Sequence, residues 1–315
     1  MYDIIVIGGG PAGMTAALYG LRNGKSVMVL EKHGFGGQIT YSPRVENIPG
    51  FSVISGNEYA DKFMEQIMAQ GADIELEEAV SIDCRQPASD EERSVCGGRT
   101  VKVIKTAEGS SYEAQSVVLA TGVRHRMLGL EGENELVGEG ISFCAVCDGD
   151  FYKGKKVAIA GGGNSAFVEA VLLAEKCGEV VMLQDLPDFT ADKKLQNDFF
   201  AHDNVSFRTN TKILELLTED GKFLGVHITN TATGEDEYID CDGLFVAIGL
   251  IPENEAFKDL ADLNSFGYFD TDESCKTRTP GVFVAGDCRS KTVRQVTTAC
   301  ADGAIAALAA CEYLR

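Results

Sequence analysis

Two cysteines separated by two residues are the feature of this sequence best suited to chemistry. Cys144 and Cys147 form a C-x-x-C pair, and Asp148 follows directly. A pair at this spacing closes a small ring, and the nearness of one thiol to the other can lower a thiol pKa and make the disulfide exchangeable. Their position on a predicted loop beside an acid favours redox chemistry.

The same cysteines could instead form half of a zinc site or a purely structural pair. A zinc site needs two more ligands, and the sequence has no second C-x-x-C, C-x-x-H or H-x-x-H. The four histidines are isolated from one another: His33, His125, His202 and His227. We therefore predict no metal site, and a structural role for the pair stays open.

A glycine-rich loop near the N-terminus predicts a dinucleotide site. The loop reads G-G-G-P-A-G and lies between the strand-like run Tyr2–Ile7 and a helix predicted over Met14–Arg22. Gly8 permits the tight turn, Gly10 lets the backbone approach a pyrophosphate, and Gly13 allows the helix to pack closely on the strand. The N-terminus of the helix offers N–H donors and a partial positive charge to the phosphates.

An acidic residue completes this first site. A second strand is predicted over Ser26–Glu31, and Glu31 ends it at the place where a carboxylate takes the ribose hydroxyls of an adenosine. The alternative interpretation is a tight turn in an ordinary α/β domain. The glycine motif by itself does not distinguish FAD from NAD.

The same order of elements occurs again in the middle of the chain. A strand over Lys156–Ala160 leads into a second glycine loop, a helix over Phe167–Lys176 and a strand over Glu179–Leu183. The loop includes Gly161, Gly163, Asn164, Ser165 and Ala166. Two such units predict an α/β fold with two Rossmann-like dinucleotide-binding domains, each on a parallel sheet.

Size and composition limit the class of protein. At 315 residues, 44% hydrophobic and 24% charged, the chain is long enough for two domains. Its formal net charge of −20 argues against nucleic acid as a partner. No apolar run approaches the ~20 residues of a membrane span, and no signal peptide precedes Tyr2. The ten scattered cysteines indicate a reducing cytoplasm.

Further motifs make the chain resemble the low-molecular-weight thioredoxin-reductase family over essentially its whole length. One group lies near the C-terminus, where the strand-like run Gly281–Asp287 precedes R-Q-V and a helix predicted over Thr297–Ala310. The full set of matching motifs is G-G-G-P-A-G, Gly36-Gly37-Gln38, V-E-N-I-P-G, Ala120-Thr121-Gly122, C-A-V-C-D-G, the second glycine loop and A-G-D…R-Q.

The resemblance implies FAD as cofactor and identifies residues that would bind it. Asp287 would hydrogen-bond the ribityl chain, and the segments around Gln38 and Arg294 would line the isoalloxazine. The implied set is Gly8, Gly10, Pro11, Ala12, Gly13, Glu31, Lys32, Gly37, Gln38, Asn47, Thr121, Gly122, Gly286, Asp287, Arg294, Gln295 and Val296. The FAD domain would comprise residues 1–120 and 248–315. An NAD(P)H-binding-like domain, residues 121–247, would be inserted into it and carry the cysteine pair.

The resemblance also assigns roles to the redox residues. Cys147 would accept electrons from the flavin, Cys144 would attack the substrate disulfide, and Asp148 would protonate the leaving thiolate. The implied partner is thioredoxin or a thioredoxin-like protein, and the implied assembly is a homodimer. These expectations describe a flavin-dependent disulfide reductase.

The sequence departs from this family where NADPH would bind. Relatives that use NADPH carry a histidine and two arginines after the strand of the second unit, and another arginine four positions on. Here the aligned residues are Gln184-Asp185-Leu186 and Thr190. Asp185 would repel a 2′-phosphate. Either Asp185 holds the ribose of NADH, or the second glycine loop is vestigial and ferredoxin supplies the electrons, as in the ferredoxin-dependent flavin thioredoxin reductases. We favour ferredoxin.

The sequence leaves two other functions open. A flavin ferredoxin–NADP reductase of similar fold lacks the cysteine pair, so the pair argues against it. A non-catalytic FAD-binding redox sensor would reduce no disulfide with any donor. Ferredoxins are usually acidic and would need a local basic patch on this chain. The candidates, which can equally be solvated surface charge, are Lys153, Lys155 and Lys156, or Arg289, Lys291 and Arg294.

Overall fold

A computed structural model describes all residues from 1 to 315 and divides the chain into two compact units. Unit 1 comprises Met1–Arg124 and Ile251–Arg315, and unit 2 comprises His125–Leu250. Sequence analysis placed the two breaks near residues 120 and 248. The α/β fold predicted from the two glycine loops is confirmed, with the second unit inserted into the first.

Seventeen strands and eight α-helices form the two units. The strands are β1 (Tyr2–Ile7), β2 (Val27–Leu30), β3 (Asp73–Glu75), β4 (Ala79–Arg85), β5 (Val101–Thr106), β6 (Ser111–Leu119), β7 (Val123–His125), β8 (Ile141–Ser142), β9 (Lys156–Ala160), β10 (Glu179–Leu183), β11 (Val205–Arg208), β12 (Thr211–Glu219), β13 (Lys222–Asn230), β14 (Asp236–Asp240), β15 (Gly243–Val246), β16 (Leu250–Pro252) and β17 (Val282–Val284).

The α-helices are α1 (Pro11–Arg22), α2 (Gly56–Ala69), α3 (Asp90–Val95), α4 (Glu133–Leu136), α5 (Ala145–Asp148), α6 (Asn164–Ala174), α7 (Lys193–Phe200) and α8 (Val296–Tyr313). Short 3₁₀ helices cover Gly37–Tyr41, Gly149–Tyr152 and Glu255–Phe257. None of these helices combines the length and the apolar character needed to cross a bilayer.

The sheet of unit 1 has the strand order β3-β2-β1-β6-β5-β4, and β17 also pairs with β6. The first half of β6 pairs with β5, and its second half pairs with β17, so one long strand serves two neighbours. Strands β1, β2, β3, β6 and β17 are parallel. Their carboxyl ends therefore meet at one edge, where the first glycine loop lies.

Small residues allow α1 and α8 to pack closely on this sheet. A Cβ at Gly303 of α8 would lie only 2.1 Å from the carbonyl oxygen of Ala12 in α1. Both helices also contribute alanines to one hydrophobic core, among them Ala16 and Ala306. Helix α8 therefore fixes the start of α1, which follows the glycine loop.

Unit 2 has a parallel sheet of order β11-β10-β9-β15-β8 and a separate antiparallel sheet, β12-β13-β14. Strands β9 and β10 are buried over nearly their whole length, as their apolar sequences predict. The second glycine loop leaves β9 and leads into α6. The cysteine pair leaves the edge strand β8 and leads into α5, which packs against α6.

The polar segment Arg85–Gly98 was predicted to be a hairpin tip or surface loop. It does connect the antiparallel strands β4 and β5, but it also contains the helix α3. Ser89 caps this helix by accepting a hydrogen bond from the backbone N–H of Glu92. A serine three residues before a glutamate is a known helix-start pattern, so this helix was predictable.

Candidate functional site

The redox pair is a disulfide in the structure. The Cys144 and Cys147 sulfurs are bonded, and their Cα atoms are 5.3 Å apart. Sequence analysis expected a loop here, but Cys144 is the N-cap of the short helix α5, and its Sγ accepts a hydrogen bond from the Cys147 backbone N–H at 3.2 Å. Both cysteines are partly exposed within unit 2, so the bond is accessible for exchange.

Asp148 lies at the end of α5 and is bound to Ser142. The Ser142 hydroxyl donates to Oδ2 of Asp148 at 2.5 Å and accepts from the Cys144 backbone N–H at 3.1 Å. Oδ1 of Asp148 is buried without a hydrogen-bond partner. Burial raises the pKa of Asp148 above its ordinary value, and the Ser142 hydrogen bond partly opposes that rise. A carboxyl of this kind keeps its proton to higher pH and is suited to act as a general acid.

In the first glycine loop, two glycines lie where a Cβ would clash with the backbone, and a third faces open space. A Cβ at Gly8, whose φ is +110°, would lie 2.2 Å from the carbonyl oxygen of Ala120. A Cβ at Gly13 would lie 1.8 Å from the carbonyl oxygen of Gly8. The nearest protein atom to a Cβ at Gly10 is the Cα of Gly37, 3.9 Å away. The protein itself thus leaves space in front of Gly10, where a pyrophosphate would need it.

The remaining residues of this loop belong to α1. Pro11 is the first residue of the helix, where its missing N–H costs nothing, and Ala12 and Gly13 follow. Oε2 of Glu31 accepts from the Gly9 backbone N–H at 2.7 Å, so its carboxylate lies against the loop. A cavity of about 400 Å³ opens beside it, lined in part by Gly8, Lys32 and Thr121.

Asp287 provides a buried acceptor in unit 1. Its Oδ1 has no hydrogen-bond partner, although Lys291 Nζ lies 3.8 Å away. Burial raises the pKa of the carboxyl to about 6, against the opposing effects of Lys291 and Arg294. An unsatisfied buried oxygen of this kind calls for a donor such as a ribityl hydroxyl. Gly286, whose Cβ would lie 2.7 Å from that of Ala12, brings this segment close to α1. The cavity, the open space at Gly10 and this acceptor together fit FAD.

Some of the residues expected around the flavin ring contact one another. Asn47 Nδ2 donates to Oε1 of Gln295 at 3.1 Å, and Gln295 is the N-cap of α8, which begins at Val296. Arg294 donates from Nε to the Asp287 carbonyl at 3.3 Å and stacks on the Tyr268 ring at 4.4 Å.

Other expected cofactor residues already have protein partners. Gly37 and Gln38 begin the 3₁₀ helix Gly37–Tyr41. Lys32 forms an ion pair with Glu253. The Thr121 hydroxyl donates to Oδ1 of Asn254 at 2.8 Å, which fixes the turn that continues into Gly122.

The second glycine loop is covered by the segment that follows β10. A Cβ at Gly162 would lie 2.5 Å from the Gln184 side chain, and the Gly162 carbonyl accepts from the backbone N–H groups of Thr190 and Ala191 at 3.0 and 3.2 Å. A Cβ at Gly161 would lie 2.5 Å from the carbonyl oxygen of Ala247, so this position needs glycine.

The other members of the loop differ in burial and in their partners. Gly163 is the N-cap of α6 and has Thr190 Oγ1 3.6 Å from its Cβ position. Asn164 is hydrogen-bonded to Asp192, whereas Ser165 is exposed and Ala166 is buried. Asp185 follows β10 directly after Gln184 and is exposed.

Sequence reasoning missed two polar residues beside the redox pair. Ser142 ends β8 and binds Asp148, and a serine two residues before a cysteine carries no signal of its own. Glu169 lies on α6, and the Ala145 backbone N–H donates to its carboxylate. Only the packing of α5 on α6 makes Glu169 a neighbour of the cysteines, so nothing in the sequence indicated it.

Comparison with known families agrees with this geometry. The sequence profile of the pyridine nucleotide-disulphide oxidoreductase family matches residues 2–303. A thioredoxin reductase of Bacillus subtilis strain 168 is 38% identical over 314 residues, which cover 100% of this chain and 95% of that protein. A thioredoxin reductase of Peptoclostridium acidaminophilum is 39% identical over 321 residues, covering 100% and 97%.

A solved structure shows the same architecture. The crystal structure of thioredoxin reductase from Streptococcus pyogenes MGAS5005 aligns with a TM-score of 0.90 at 37% sequence identity. The alignment covers 100% of this chain and 98% of that one. The similarity therefore includes both units and both glycine loops.

Proposed function

This chain belongs to the pyridine nucleotide-disulphide oxidoreductases, as a thioredoxin reductase of the low-molecular-weight type, and on that premise we propose that reduced ferredoxin rather than NADPH supplies its electrons. The chain is an FAD-dependent flavoenzyme that reduces thioredoxin disulfide. FAD, when bound, supplies the two-electron carrier between donor and disulfide. The structure around the second glycine loop is relevant to the identity of the electron donor.

The observation that carries the proposal is that residues 184–190, the segment after β10 where a 2′-phosphate would lie, contain no Lys, Arg or His. Gln184 fills the space against Gly162 and is itself buried, while Asp185 and Leu186 are exposed. The cation nearest in the sheet, Arg208, ends β11 beside β10. Its guanidinium is already bound by Glu237 through two hydrogen bonds of 2.9 and 2.8 Å. A 2′-phosphate would therefore find no charged partner in this segment.

A carboxylate also lies at the start of α6. The Asn164 side chain donates to Oδ2 of Asp192 at 3.0 Å, and the Asp192 backbone N–H donates back to it at 2.8 Å. Asn164 is the first residue of α6, so Asp192 places a negative charge at the helix end that attracts pyrophosphate in dinucleotide sites. This charge weakens binding of either pyridine nucleotide.

NADH is the second candidate donor, and one residue favours it. Asp185 follows the second strand of the unit, where a carboxylate accepts the ribose hydroxyls of NAD. Its side chain is exposed and free to turn toward a ligand. NADH also lacks the 2′-phosphate that the segment repels. Asp192 opposes NADH as it opposes NADPH, and for that reason we rank ferredoxin first.

We assign the disulfide chemistry to the cysteine pair and its acid. In the reduced enzyme the Cys144 thiolate attacks one sulfur of the thioredoxin disulfide, forming a mixed disulfide and breaking the substrate S–S bond. The departing thiolate takes the proton of Asp148. The Cys147 thiolate then attacks Cys144, restores the enzyme disulfide and releases the second thioredoxin thiolate. Two electrons pass from the enzyme dithiol to thioredoxin.

Docking of an acidic ferredoxin needs a local positive surface on this strongly acidic chain. Lys153 and Lys155 are exposed in unit 2, on the turn after the redox helix. The other candidate patch is less suitable because Arg289 and Lys291 are paired with the buried Asp302 at 2.8 and 3.0 Å. We therefore propose the turn at Lys153 and Lys155 as the docking surface.

We also propose a homodimer that works in a reducing cytoplasm. Eight cysteines are free in the structure, which suits a reducing compartment. Sedimentation of the FAD-loaded protein at micromolar concentration tests the dimer, and a monomer at all concentrations would contradict it.

An anaerobic titration of the purified flavoprotein tests the donor. NADPH, NADH and a reduced two-cluster bacterial ferredoxin are added in separate experiments while flavin bleaching is followed. Bleaching by ferredoxin, with little by either nucleotide, is expected. Fast bleaching by micromolar NADPH would refute the proposal, and fast bleaching by NADH alone would select the second candidate.

A further inference from the structure

A second buried carboxyl lies beside the redox helix. Glu169 is on α6, the helix that follows the second glycine loop and packs against α5. The backbone N–H of Ala145, the residue between Cys144 and Val146, donates to the Glu169 carboxylate. Ala145 is itself only 1% exposed, so this contact is shielded from water.

The Glu169 carboxyl is incompletely satisfied. Its Oε2 is buried and has no hydrogen-bond partner. Burial is the main cause that raises the pKa of Glu169 to about 7, and the charge of Asp148 adds to it. Asp148 also has one buried oxygen without a partner. Two buried carboxyls, each with an unsatisfied oxygen, are therefore associated with the same four-residue helix, Asp148 as its last residue and Glu169 through the Ala145 N–H.

We propose that Glu169 is a positioning residue that sets the pH at which Cys144 forms its thiolate and at which Asp148 gives up its proton. An ionised Glu169, held at the Ala145 N–H, is a like charge to both groups and disfavours their ionised forms. The inference rests on the proposed roles of Cys144 and Asp148 and extends them to a residue outside the C-x-x-C-D motif.

The other charged groups around Glu169 are few. The elements that pack on α6 are α5, α7, β9 and β10, and the 3₁₀ helix Gly149–Tyr152 packs on α5. The charged residues of β9 and β10, Lys156 and Glu179, pair with each other at 3.0 Å. Lys176, just beyond the end of α6, pairs with Asp150 at 3.0 Å and is thereby neutralised. The phenol of Tyr152 is uncharged, because burial raises its pKa to about 12. On α7 the charged residues Lys193, Lys194 and Asp198 are exposed, whereas its buried Phe199 ring packs on Phe167 of α6. Asp148 and the thiols thus remain the main titrating neighbours.

The proposed role conserves protons during turnover. When a thiol proton leaves Cys144, the new negative charge favours protonation of the Glu169–Asp148 pair. When Asp148 later protonates the leaving thiolate of thioredoxin, the charge it acquires favours the protonated form of Glu169. The proton lost by Cys144 is thus held by the Glu169–Asp148 pair and passes through Asp148 to the leaving thiolate of thioredoxin, so the pair returns to its starting charge. No electron pair passes through Glu169.

Alkylation of Cys144 tests this inference without thioredoxin or an electron donor. The FAD-loaded protein, in a Cys147→Ser background so that the disulfide cannot re-form, is treated with iodoacetamide between pH 5 and 9.5. Labelling of Cys144 is followed by mass spectrometry. Glu169→Gln should lower the midpoint of the rate against pH by about one unit, because a like charge has been removed. Glu169→Asp keeps a carboxyl in place and should retain most of the higher midpoint.

Glu175→Gln is the matched control, since it removes the same charge from an exposed residue one position after α6. Its midpoint should equal that of the Glu169 parent. Superimposable curves for Glu169→Gln and its parent would overturn the inference. If Glu169→Gln fails to fold, the alkylation rate of the parent against pH is the test. That curve should be broader than the titration of a single group. A curve that fits one group with unit slope would reject the coupling between Glu169 and Cys144. Either negative result would leave thioredoxin reduction by the parent enzyme untouched.

Discussion

The hydroxyl of Ser142 donates to the carboxylate of Asp148 at 2.5 Å, and the same oxygen accepts the backbone N–H of Cys144 at 3.1 Å. One side chain from the edge strand β8 therefore links the proposed acid to the proposed nucleophile. The bond lowers the pKa of Asp148, against burial, which raises it. Ser142 therefore affects the pH up to which Asp148 stays protonated.

Ser142→Ala should move the alkaline limit of thioredoxin reduction to higher pH. Loss of the donor leaves burial unopposed, so the pKa of Asp148 rises and the alkaline limit of the reaction moves up with it. Rates of thioredoxin reduction against pH measure it. Ser142→Thr retains the hydroxyl and should keep the parent profile. A shift to lower pH would contradict the assignment of Asp148 as the acid.

The two cysteines should differ when replaced singly. Cys144→Ser should leave the flavin reducible but abolish thioredoxin turnover. Cys147→Ser should also abolish turnover, and the remaining Cys144 should trap thioredoxin as a mixed disulfide visible by mass spectrometry. Cys84, a free and exposed cysteine, gives the control Cys84→Ser, which should turn over normally. Parental turnover by either catalytic-pair variant would show that the pair is not the redox centre.

The sequence predicts best where buried strands border glycine loops. The limits predicted for β1, β9 and β10 match the structure, because short apolar runs bounded by glycine or charged residues leave little choice of register. The first glycine helix was predicted from Met14 but begins at Pro11. The loop glycine that precedes a dinucleotide-binding helix is its N-cap, so the last loop residues already have helical geometry.

Parts of the site that depend on packing were not predictable. Glu169 reads as an ordinary polar residue of a helix, and only contact between α5 and α6 buries it. Gln184 was identified as a missing cation, yet its contact with Gly162 depends on how the chain turns after β10. Arg208 is 23 residues further on in sequence than Asp185, and only the β10–β11 pairing brings it near.

Gly10→Val should abolish FAD binding while leaving the fold intact. A side chain at Gly10 meets no protein atom closer than 3.9 Å from its Cβ, so it enters the space in front of the loop and not the core. Pyrophosphate and valine cannot occupy that space together. The flavin absorbance of the purified protein measures the loss. Gly34→Val, at an exposed glycine with nothing within 4 Å, should remain yellow. Full FAD content in Gly10→Val would refute the cofactor site.

Asp287→Asn should raise the Tm of the FAD-free protein near neutral pH and lower its affinity for FAD. The folded pKa of Asp287 is raised to about 6 from an ordinary value of about 3.9. A carboxyl raised in this way contributes stability below about pH 4 that is lost as pH rises to about 6. Above that range the asparagine variant should have the higher Tm without FAD, and the difference should vanish near pH 4. Its FAD affinity should fall, because Asn is a weaker acceptor than a carboxylate. A Tm difference that is constant with pH would contradict the titration of Asp287.

Restoring cations beside the second glycine loop should restore NADPH as a donor. The variant Asp185→Arg, Leu186→Arg, Thr190→Arg changes three exposed residues, so the core of unit 2 is left unaltered. Each charge-assisted contact to a 2′-phosphate contributes about 1.5–3 kcal/mol, and two new contacts alone should improve NADPH binding by about 10²–10⁴-fold. Stopped-flow bleaching of the flavin against NADPH concentration measures the change. Asp198→Arg, at an exposed residue of α7, makes the same change of charge as Asp185→Arg outside the segment after β10 and should change little. The gain should be specific to NADPH over NADH, since only the 2′-phosphate distinguishes them.

Equal gains for both nucleotides would mean that general charge, and not a missing phosphate site, limits the parent. No gain at all would point instead to Gln184 and Asp192, whose contacts with Gly162 and Asn164 remain in place in this variant.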